Sequence, residues 1–292
     1  MIIIKHILSE GMITVSRGSR KLPYPVLAKT SLGDVAYFEP YSSSRMKDED
    51  DDVFDLDPED GLLDDDDEDV EVKSISGDDW MPVIQGNGRL TMFIAGNPGA
   101  GKSYLSKEMI KLLPPTCNIL LFTALEESDG NFDELDKSHF YKIKMEPEIL
   151  SQISLKEIRD RSSDTLLLFD DVDKISDKKI SDLTFKIMED ALANGRGHKK
   201  HDGKGDIHVI CTSHALNDYR KTKYSLENSD YVALFPGSTT NRQMHTMFDK
   251  LGLDKELCIK MIRLGKSGII RSIIIHKVAP MYIIFGNKIM LI

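Results

Sequence analysis

The chain has 292 residues, 40% of them hydrophobic, which is enough for one or two domains with a buried core. Blocks rich in isoleucine and leucine exclude a chain that is disordered throughout. Three cysteines, Cys117, Cys211 and Cys258, lie far apart in the sequence. Their spacing excludes a disulfide scaffold and a zinc site built from cysteine pairs.

The formal net charge of −10 is distributed unevenly. Residues 48–71 contain 16 acidic residues and no lysine or arginine, so the rest of the chain has 32 acidic against 38 basic residues. Residues 194–292 are more basic still, with 16 lysines and arginines against 8 acidic residues. A polyanionic partner is therefore compatible with the acidic composition.

Residues 1–47 mix short apolar runs with turn-forming residues, which predicts a small, β-rich N-terminal extension. Residues 48–79 are predicted to form an acidic, disordered linker, because like charges repel and apolar residues are few. An alternative for the acidic tract is an electrostatic mimic of DNA that covers a basic surface when no DNA is bound.

No segment combines the length and the apolar character of a membrane span. Residues 1–8 are apolar but too short for the core of a secretory signal. Residues 269–292 are rich in isoleucine, yet charged residues and a proline interrupt them, which favours short strands. We therefore expect an intracellular protein that is not secreted.

From residue 80 onward, apolar runs alternate with helical stretches. Strands are predicted at residues 90–95, 118–125, 140–143, 165–169, 207–212 and 231–235. Helices are predicted at residues 102–113, 149–161 and 178–193. The alternation predicts an α/β domain over residues 80–292, with a mainly parallel central sheet flanked by helices and a strand-rich C-terminal end.

Residues 96–103, GNPGAGKS, match the phosphate-binding pattern G-x-x-x-x-G-K-[ST], the Walker A motif, between an apolar strand and an amphipathic helix. Glycines let this P-loop turn its N–H groups toward phosphate, and the helix N-terminus adds partial positive charge. We expect Lys102 to reach the β- and γ-phosphates and the Ser103 hydroxyl to bind Mg²⁺. The residues predicted to bind nucleotide are Gly96, Asn97, Pro98, Gly99, Ala100, Gly101, Lys102, Ser103 and Tyr104.

A second motif, at residues 166–171, is an apolar strand that ends in Asp170 and Asp171. Such an ending puts both carboxylates at the carboxyl edge of the sheet, where ligands bind in α/β folds. In this Walker B role, Asp170 is predicted to bind Mg²⁺ through water, and Asp171 to orient the attacking water as a base. Taken alone, the pattern would also fit a strand that ends in a solvated acidic turn.

A third strand, at residues 207–212, runs directly into Ser213 and His214. In many P-loop motors, the strand beside the acidic one carries a polar sensor of the γ-phosphate or of the water. Ser213 and His214 are the candidates for this catalytic role, although Ser213 could instead cap the following helix.

Residues 195–205 contain four glycines and four lysines or arginines, which predicts a mobile, cationic loop. Such a loop could follow the DNA backbone without reading bases, or it could be an ordinary solvated surface loop. The pair His198 and His201 is a poor metal site, because no cysteine or carboxylate cluster lies nearby.

The chain's resemblance to a known family rests on four stretches: GNPGAGKS, LLLFDDVD, ANGRG with DIHVICTSH, and ALFPGSTTNRQM. In order and spacing they resemble the packaging ATPases of large DNA viruses, the poxvirus-type branch of the FtsK–HerA superfamily of P-loop NTPases. The resemblance covers residues 83–292. It implies a ring-forming motor, usually hexameric, that uses ATP and Mg²⁺ to move double-stranded DNA into a preformed capsid.

The resemblance also implies partners and a location. The partners would be double-stranded DNA, further copies of the chain, and a capsid or portal-like protein. The location would be the host cytoplasm, in viral factories, and the virion. By position, Arg196 matches the arginine finger that enters the neighbouring subunit's site, with Arg220 and Arg242 as alternatives. The chain departs from the family pattern at His214, where relatives often have glutamine, and at Asp171, where many have glutamate.

Other functions remain open at this point. A P-loop kinase of a small metabolite would fit the phosphate loop equally well, but its arginine-rich lid has no counterpart in residues 195–205, which contain one arginine. A AAA+ remodelling ATPase would place a helical lid domain after the sheet, where strands are predicted. A non-catalytic nucleotide-gated module would lack the catalytic carboxylate, which is present as Asp171.

Overall fold

The computed structural model describes residues 2–7, 11–17, 22, 24–40, 71–74, 76–84, 88–124, 132, 135, 138–161, 163–195, 205–214 and 219–292. Its strands are β1 (Ile2–Ile7), β2 (Gly11–Arg17), β3 (Val26–Lys29), β4 (Asp34–Pro40), β5 (Glu71–Lys73), β6 (Met81–Pro82), β7 (Thr91–Ala95), β8 (Asn118–Thr123), β9 (Phe140–Lys142), β10 (Thr165–Asp170), β11 (Ile207–Ser213), β12 (Tyr231–Leu234), β13 (Ile273–His276), β14 (Tyr282–Phe285) and β15 (Lys288–Leu291). Its helices are α1 (Lys102–Ile110), α2 (Pro147–Ser151), α3 (Leu155–Arg159), α4 (Lys178–Asn194), α5 (Tyr219–Asn228), α6 (Asn241–Lys250) and α7 (Lys255–Lys266). The chain divides into two compact units, Met1–Val83 with Tyr282–Ile292, and Ile84–Met281.

The smaller unit is built from antiparallel strands. One sheet has the strand order β1-β2-β4-β3-β6, and β15 pairs with both β5 and β14. The indole of Trp80 is buried, and the Tyr282 hydroxyl donates a hydrogen bond to the Leu27 carbonyl at 2.9 Å. Lys288 and Glu71 form an ion pair between β15 and β5. The last residues of the chain are therefore an integral part of this unit.

The boundaries of the units differ from the predicted domain boundaries. The linker was expected to extend to residue 79, yet Glu71–Lys73 form β5, and Tyr282–Ile292, expected in the ATPase domain, belong to the smaller unit. The reason is that β15 pairs with β5 across 217 positions of sequence, a pairing that no local pattern reveals. Residues 48–70 of the acidic tract lie outside the described residues, so their predicted disorder stays a prediction.

The larger unit contains a mainly parallel sheet with the strand order β9-β8-β10-β11-β7-β12-β13. Neighbouring strands from β9 to β12 are parallel, whereas β13 runs antiparallel to β12. Every residue of β7, β10, β11 and β12 is buried, which explains their nearly continuous apolar sequences. The predicted α/β fold, with a P-loop between β7 and α1, is confirmed.

Helices lie on both faces of this sheet. The crossover from β7 through α1 to β8 runs in the opposite direction to the crossover from β10 through α4 to β11. Because such crossovers are right-handed, α1 and α4 lie on opposite faces. The connection through α5 runs in the same direction as that through α4, and α5 packs against α4. The reversal of direction occurs at β7 and β11, whose carboxyl ends form the expected ligand-binding edge.

The helix predicted over residues 149–161 is wrong in part, because two short helices occupy that stretch. α2 ends at Ser151 and α3 begins at Leu155. The Ser154 hydroxyl accepts a hydrogen bond from the backbone N–H of Glu157 at 3.3 Å, so Ser154 caps a new helix where a continuous one was expected. Strands β13, β14 and β15 confirm the predicted strand-rich C-terminal end.

Candidate functional site

The P-loop connects the buried strand β7 to α1 in a conformation that requires glycine at three points, of which Gly99 has a φ of 76°. Gly101 has a φ of 108° and begins α1 without a side-chain cap, which leaves the first N–H groups of the helix for an anion. A Cβ on Gly96 would lie 2.8 Å from the ring of Phe235, which follows β12. The Asn97 amide donates to the Ser238 carbonyl. The segment after β12, part of the ALFPGSTT stretch, therefore supports the P-loop from the side.

The side chain of Lys102, which follows Gly101 in the P-loop, is almost fully buried. Its Nζ donates to the Gly96 carbonyl at 3.0 Å and lies 3.0 Å from Nδ1 of His214. The same Nζ is 3.9 Å from Oδ1 of Asp171. Burial lowers the pKa of Lys102, and the neighbouring carboxylates of Asp171 and Asp170 oppose that shift. Lys102 can exchange its carbonyl partner for a phosphate oxygen while it remains beside the carboxylates.

The two carboxylates at the end of β10 have different environments. Asp170 is buried, and its Oδ1 accepts a hydrogen bond from the Thr212 hydroxyl at 2.9 Å. Asp171 follows in the left-handed region, with a φ of 51°, and its backbone N–H donates to the same hydroxyl at 2.9 Å. Burial, and then the charge of Asp171, raise the pKa of Asp170. Thr212 thus fixes the turn that separates the two carboxyl groups.

His214 links the predicted base to the predicted phosphate-binding lysine. Its Nε2 lies 2.5 Å from Oδ2 of Asp171, and its Nδ1 faces Lys102. A neutral imidazole satisfies both contacts when Nε2–H donates to the carboxylate and Nδ1 accepts from the ammonium group. Lys174 lies 3.5 Å from Asp171 Oδ2 on the exposed side. The structure therefore brings Lys102, Asp171 and His214 together.

Ser213 has a different partner from the one expected of a sensor. Its hydroxyl donates to Oδ2 of Asp173 at 2.9 Å, and the His214 backbone N–H donates to the same oxygen at 3.1 Å. Asp173 therefore fixes the end of β11 and the orientation of His214. This contact favours a structural role for Ser213, and its predicted catalytic role stays a prediction.

The donor set at the carboxyl edge fits a magnesium ion bound together with phosphate. The Ser103 hydroxyl, in the first turn of α1, makes no hydrogen bond to the described part of the chain, and Asp170 supplies a carboxylate. Among the described residues, no three His, Cys, Asp or Glu side chains are placed to hold a metal by themselves. Mg²⁺ prefers few protein ligands together with phosphate oxygens and waters, which matches Ser103 and Asp170.

Arg196 lies outside the described residues, but its neighbour Gly195 does not. The Gly195 carbonyl accepts a hydrogen bond from the N–H of Ile207, the first residue of β11, at 2.9 Å. Since β11 and β7 are parallel, Gly195 lies at the edge of the sheet opposite to the P-loop. Of the alternatives, Arg220 lies in α5, and Arg242 is exposed in α6 with no contact to Lys102 or Asp171 in the described structure.

Sequence reasoning missed four residues of this site: Thr212, Asp173, Lys174 and Arg271. Thr212 and Asp173 stand inside the quoted motifs, and the alternation of side chains along β11 could have indicated Thr212. The sequence around Arg271 contains no motif that would indicate its contact with the P-loop. Nε of Arg271 donates to the carbonyl of Ala100 at 3.3 Å across 171 positions of sequence.

In the described part of the chain, every helix is too short or too polar to cross a lipid bilayer.

No protein-family model matches the chain. It is similar to an uncharacterised protein, V3, of Sputnik virophage, with 28% identity over 204 residues that cover 68% of this chain and 76% of the relative.

The chain is also similar to solved structures, including the following two. The cytoplasmic domain of the type VII secretion ATPase EccC from Thermomonospora curvata has a TM-score of 0.44 and 14% identity. The match covers 71% of this chain and 27% of that domain, so the chain spans about a quarter of the domain's length. The genome packaging NTPase B204 of Sulfolobus turreted icosahedral virus 2, in complex with ATPγS, has a TM-score of 0.34 and 16% identity, covering 55% of this chain and 80% of B204. At TM-scores below 0.5, neither likeness bears on function.

Proposed function

We propose that the chain is an ATPase that hydrolyses ATP at the site formed by the P-loop and the carboxyl ends of β10 and β11. The observation that carries this proposal is the convergence of Lys102, His214 and Asp171 within hydrogen-bonding or ion-pairing distance. A phosphate-binding loop alone would bind nucleotide. A carboxylate beside the lysine adds the group that can orient an attacking water.

Each side chain has a defined task in this proposal. Lys102 binds the β- and γ-phosphate oxygens and balances their charge, and Asp171 orients the water for attack in line with the leaving group. Ser103 and Asp170 would hold Mg²⁺, which supplies further charge neutralisation of the phosphates. His214 would couple the positions of Lys102 and Asp171, because it contacts the two side chains with different ring nitrogens.

Double-stranded DNA is the polymer on which we propose that the ATPase acts. The support is electrostatic, since residues 194–292 carry twice as many basic as acidic residues, 16 against 8. Four of the basic residues fall in the glycine-rich stretch 195–205. Contacts of this type follow the phosphate backbone without base specificity and weaken as salt rises.

The proposed assembly is a homo-oligomeric ring, with a hexamer as the first expectation. The support is the family resemblance of the motifs, in which Arg196 matches by position the arginine finger that enters a neighbouring copy's site. Light scattering of the purified protein with and without ATPγS tests the assembly. A protein that remains monomeric at all concentrations would contradict the ring.

We further propose that the ATPase packages a viral genome into a preformed capsid in the host cytoplasm. A capsid or portal-like protein would be its docking partner. The support for this proposal is the similarity of the chain to a virophage protein, together with the family resemblance of its motifs. Translocation can be tested by ATP-dependent displacement of a third strand from a duplex. Displacement that needs ATP and intact Lys102 supports a motor, whereas hydrolysis without displacement at any DNA length contradicts it.

A further inference from the structure

The strand order gives the P-loop two chemically different sides. On one side of β7 lie β11 and β10, which carry His214 and Asp171. On the other side lie β12 and β13. Because Ile273 at the start of β13 pairs with Leu234 at the end of β12, the residues just before β13 also reach the carboxyl edge. A nucleotide with its terminal phosphate near Asp171 would therefore extend its base toward the β13 side.

An exposed aromatic ring and a guanidinium group meet on that side. Tyr104, in the first turn of α1, is 55% exposed, and the guanidinium carbon of Arg271 lies 5.5 Å from the centre of its ring. Arg271 also donates from Nε to the Ala100 carbonyl at 3.3 Å. A Cβ on Gly101 would lie only 2.6 Å from Nη2 of Arg271. Arg271 is thus held against both the P-loop and the tyrosine.

Ordinary packing does not account for this pair. Arg271 makes no ion pair with a carboxylate among the described residues, and its Nη groups have no hydrogen-bond acceptor there. An exposed aromatic ring and an exposed planar cation therefore form an open surface directly beside the phosphate-binding loop.

We infer that Tyr104 and Arg271 form the base-binding surface of the nucleotide site, an inference that rests on the proposed function. Both kinds of group can stack on the flat face of a base. Stacking recognises the π-face of a base and not its hydrogen-bonding edge. The site should therefore accept adenine and guanine nucleotides with similar affinity and bind pyrimidine nucleotides more weakly, since their rings offer less stacking area.

The test is calorimetric titration of the full chain with Mg²⁺ and one of four probes: ADP, GDP, CDP or inorganic tripolyphosphate. Tyr104→Ala should weaken binding of ADP and GDP about tenfold, the size expected for loss of one stacking contact, and leave tripolyphosphate unchanged. Tyr104→Phe keeps the ring and should bind as the parent chain does. Tyr141→Ala removes another exposed tyrosine of the same unit, on β9, and serves as the matched control.

The outcomes separate this inference from the proposed function. If the parent chain binds ADP and Tyr104→Ala binds it equally well, the base surface is wrong and the ATPase proposal stands. If Arg271→Ala weakens the binding of tripolyphosphate as much as the binding of ADP, Arg271 is a phosphate ligand, and the assignment of the base surface is again wrong. If the parent chain binds none of the four probes, both proposals fail. Loss of ADP and GDP affinity with tripolyphosphate affinity retained supports the base surface.

Discussion

Nε2 of His214 lies 2.5 Å from Oδ2 of Asp171. The other ring nitrogen faces the ammonium group of Lys102 at 3.0 Å. One imidazole therefore connects the carboxylate that would orient water with the cation that would bind phosphate. The family that the motifs resemble often has glutamine at this position, and a glutamine amide also combines a donor group with an acceptor group.

This connection predicts that His214→Gln keeps most of the ATP turnover, whereas His214→Ala loses it about 10- to 100-fold. The alanine removes both contacts and leaves the Lys102 and Asp171 side chains without their shared partner. Steady-state kcat of the two variants is the measurement. Equal activity of the alanine and glutamine variants would show that the hydrogen-bonding ability of His214 plays no part in turnover.

Asp171→Asn is expected to bind ATP with nearly unchanged affinity and to hydrolyse it about 100- to 10,000-fold more slowly, because a neutral amide cannot act as a base. Asparagine tolerates the left-handed backbone at this position, where φ is 51°, so the turn is preserved. Single-turnover hydrolysis and calorimetric ATP binding separate the two effects.

The control for Asp171 is Asp182→Asn, which changes an exposed carboxylate on α4 in the same unit. It should behave as the parent chain in both assays. Unchanged single-turnover kinetics in Asp171→Asn would move the catalytic base to another residue.

The sequence predicted the chemical centre of the site better than its surroundings. The P-loop and the acidic end of β10 are contiguous motifs whose chemistry requires specific residue types, so their roles can be read locally. The apolar pattern also predicted β11, the strand that His214 follows, and the catalytic role of His214 stays a prediction. Parallel strands between helices leave such a pattern in the sequence.

What could not be predicted depends on contacts between distant parts of the chain. Arg271 reaches the P-loop because β13 turns back antiparallel to β12, and nothing in the residues around it marks that reversal. The support of Gly96 by Phe235 has the same origin. The assignment of β15 to the smaller unit likewise depends on its pairing with β5.

Thr212→Val tests whether the Thr212 hydroxyl holds the turn between Asp170 and Asp171. Valine has the same shape but leaves the Asp171 N–H and the Asp170 carboxylate without this partner, so we expect a loss of about 1–3 kcal/mol in the free energy of unfolding. Turnover should fall as well, because Asp171 loses its fixed position. Urea denaturation and kcat are the measurements.

Thr212→Ser keeps the hydroxyl and removes one methyl group, so its turnover should stay close to that of the parent chain. Its stability should fall by about 1 kcal/mol, the value for a buried methyl group. Equal turnover of the valine and parent chains would contradict the role assigned to the hydroxyl.

We expect the Asp170 carboxylate to lower the stability of the nucleotide-free protein in a pH-dependent way, although the same carboxylate is needed for activity. Burial and the charge of Asp171 raise the pKa of Asp170, so ionisation is disfavoured in the folded chain and its cost to stability appears as pH rises through that raised pKa. Asp170→Asn should therefore stabilise the nucleotide-free protein at neutral pH. The difference should shrink as pH falls through the ordinary value of 3.8, below which both folded and unfolded chains carry the proton.

Thermal unfolding of the parent chain and Asp170→Asn across this pH range checks the sign. ATP hydrolysis by the variant should fall about 100-fold or more at saturating Mg²⁺, because a metal-binding carboxylate is lost. A variant that is less stable than the parent chain at neutral pH would contradict the assigned cost of the buried carboxylate.

Steady-state ATP hydrolysis by the purified chain, with and without linear duplex DNA at low salt, tests the proposed motor most directly. We expect Mg²⁺-dependent hydrolysis that rises several-fold with DNA, loses this stimulation between about 50 and 200 mM salt, and disappears in Lys102→Ala. Lys156→Ala, which removes an exposed lysine of α3 outside the basic stretch 194–292, should leave the hydrolysis unchanged. Hydrolysis that persists in Lys102→Ala, or that does not respond to duplex DNA at low salt, would contradict a DNA-translocating ATPase.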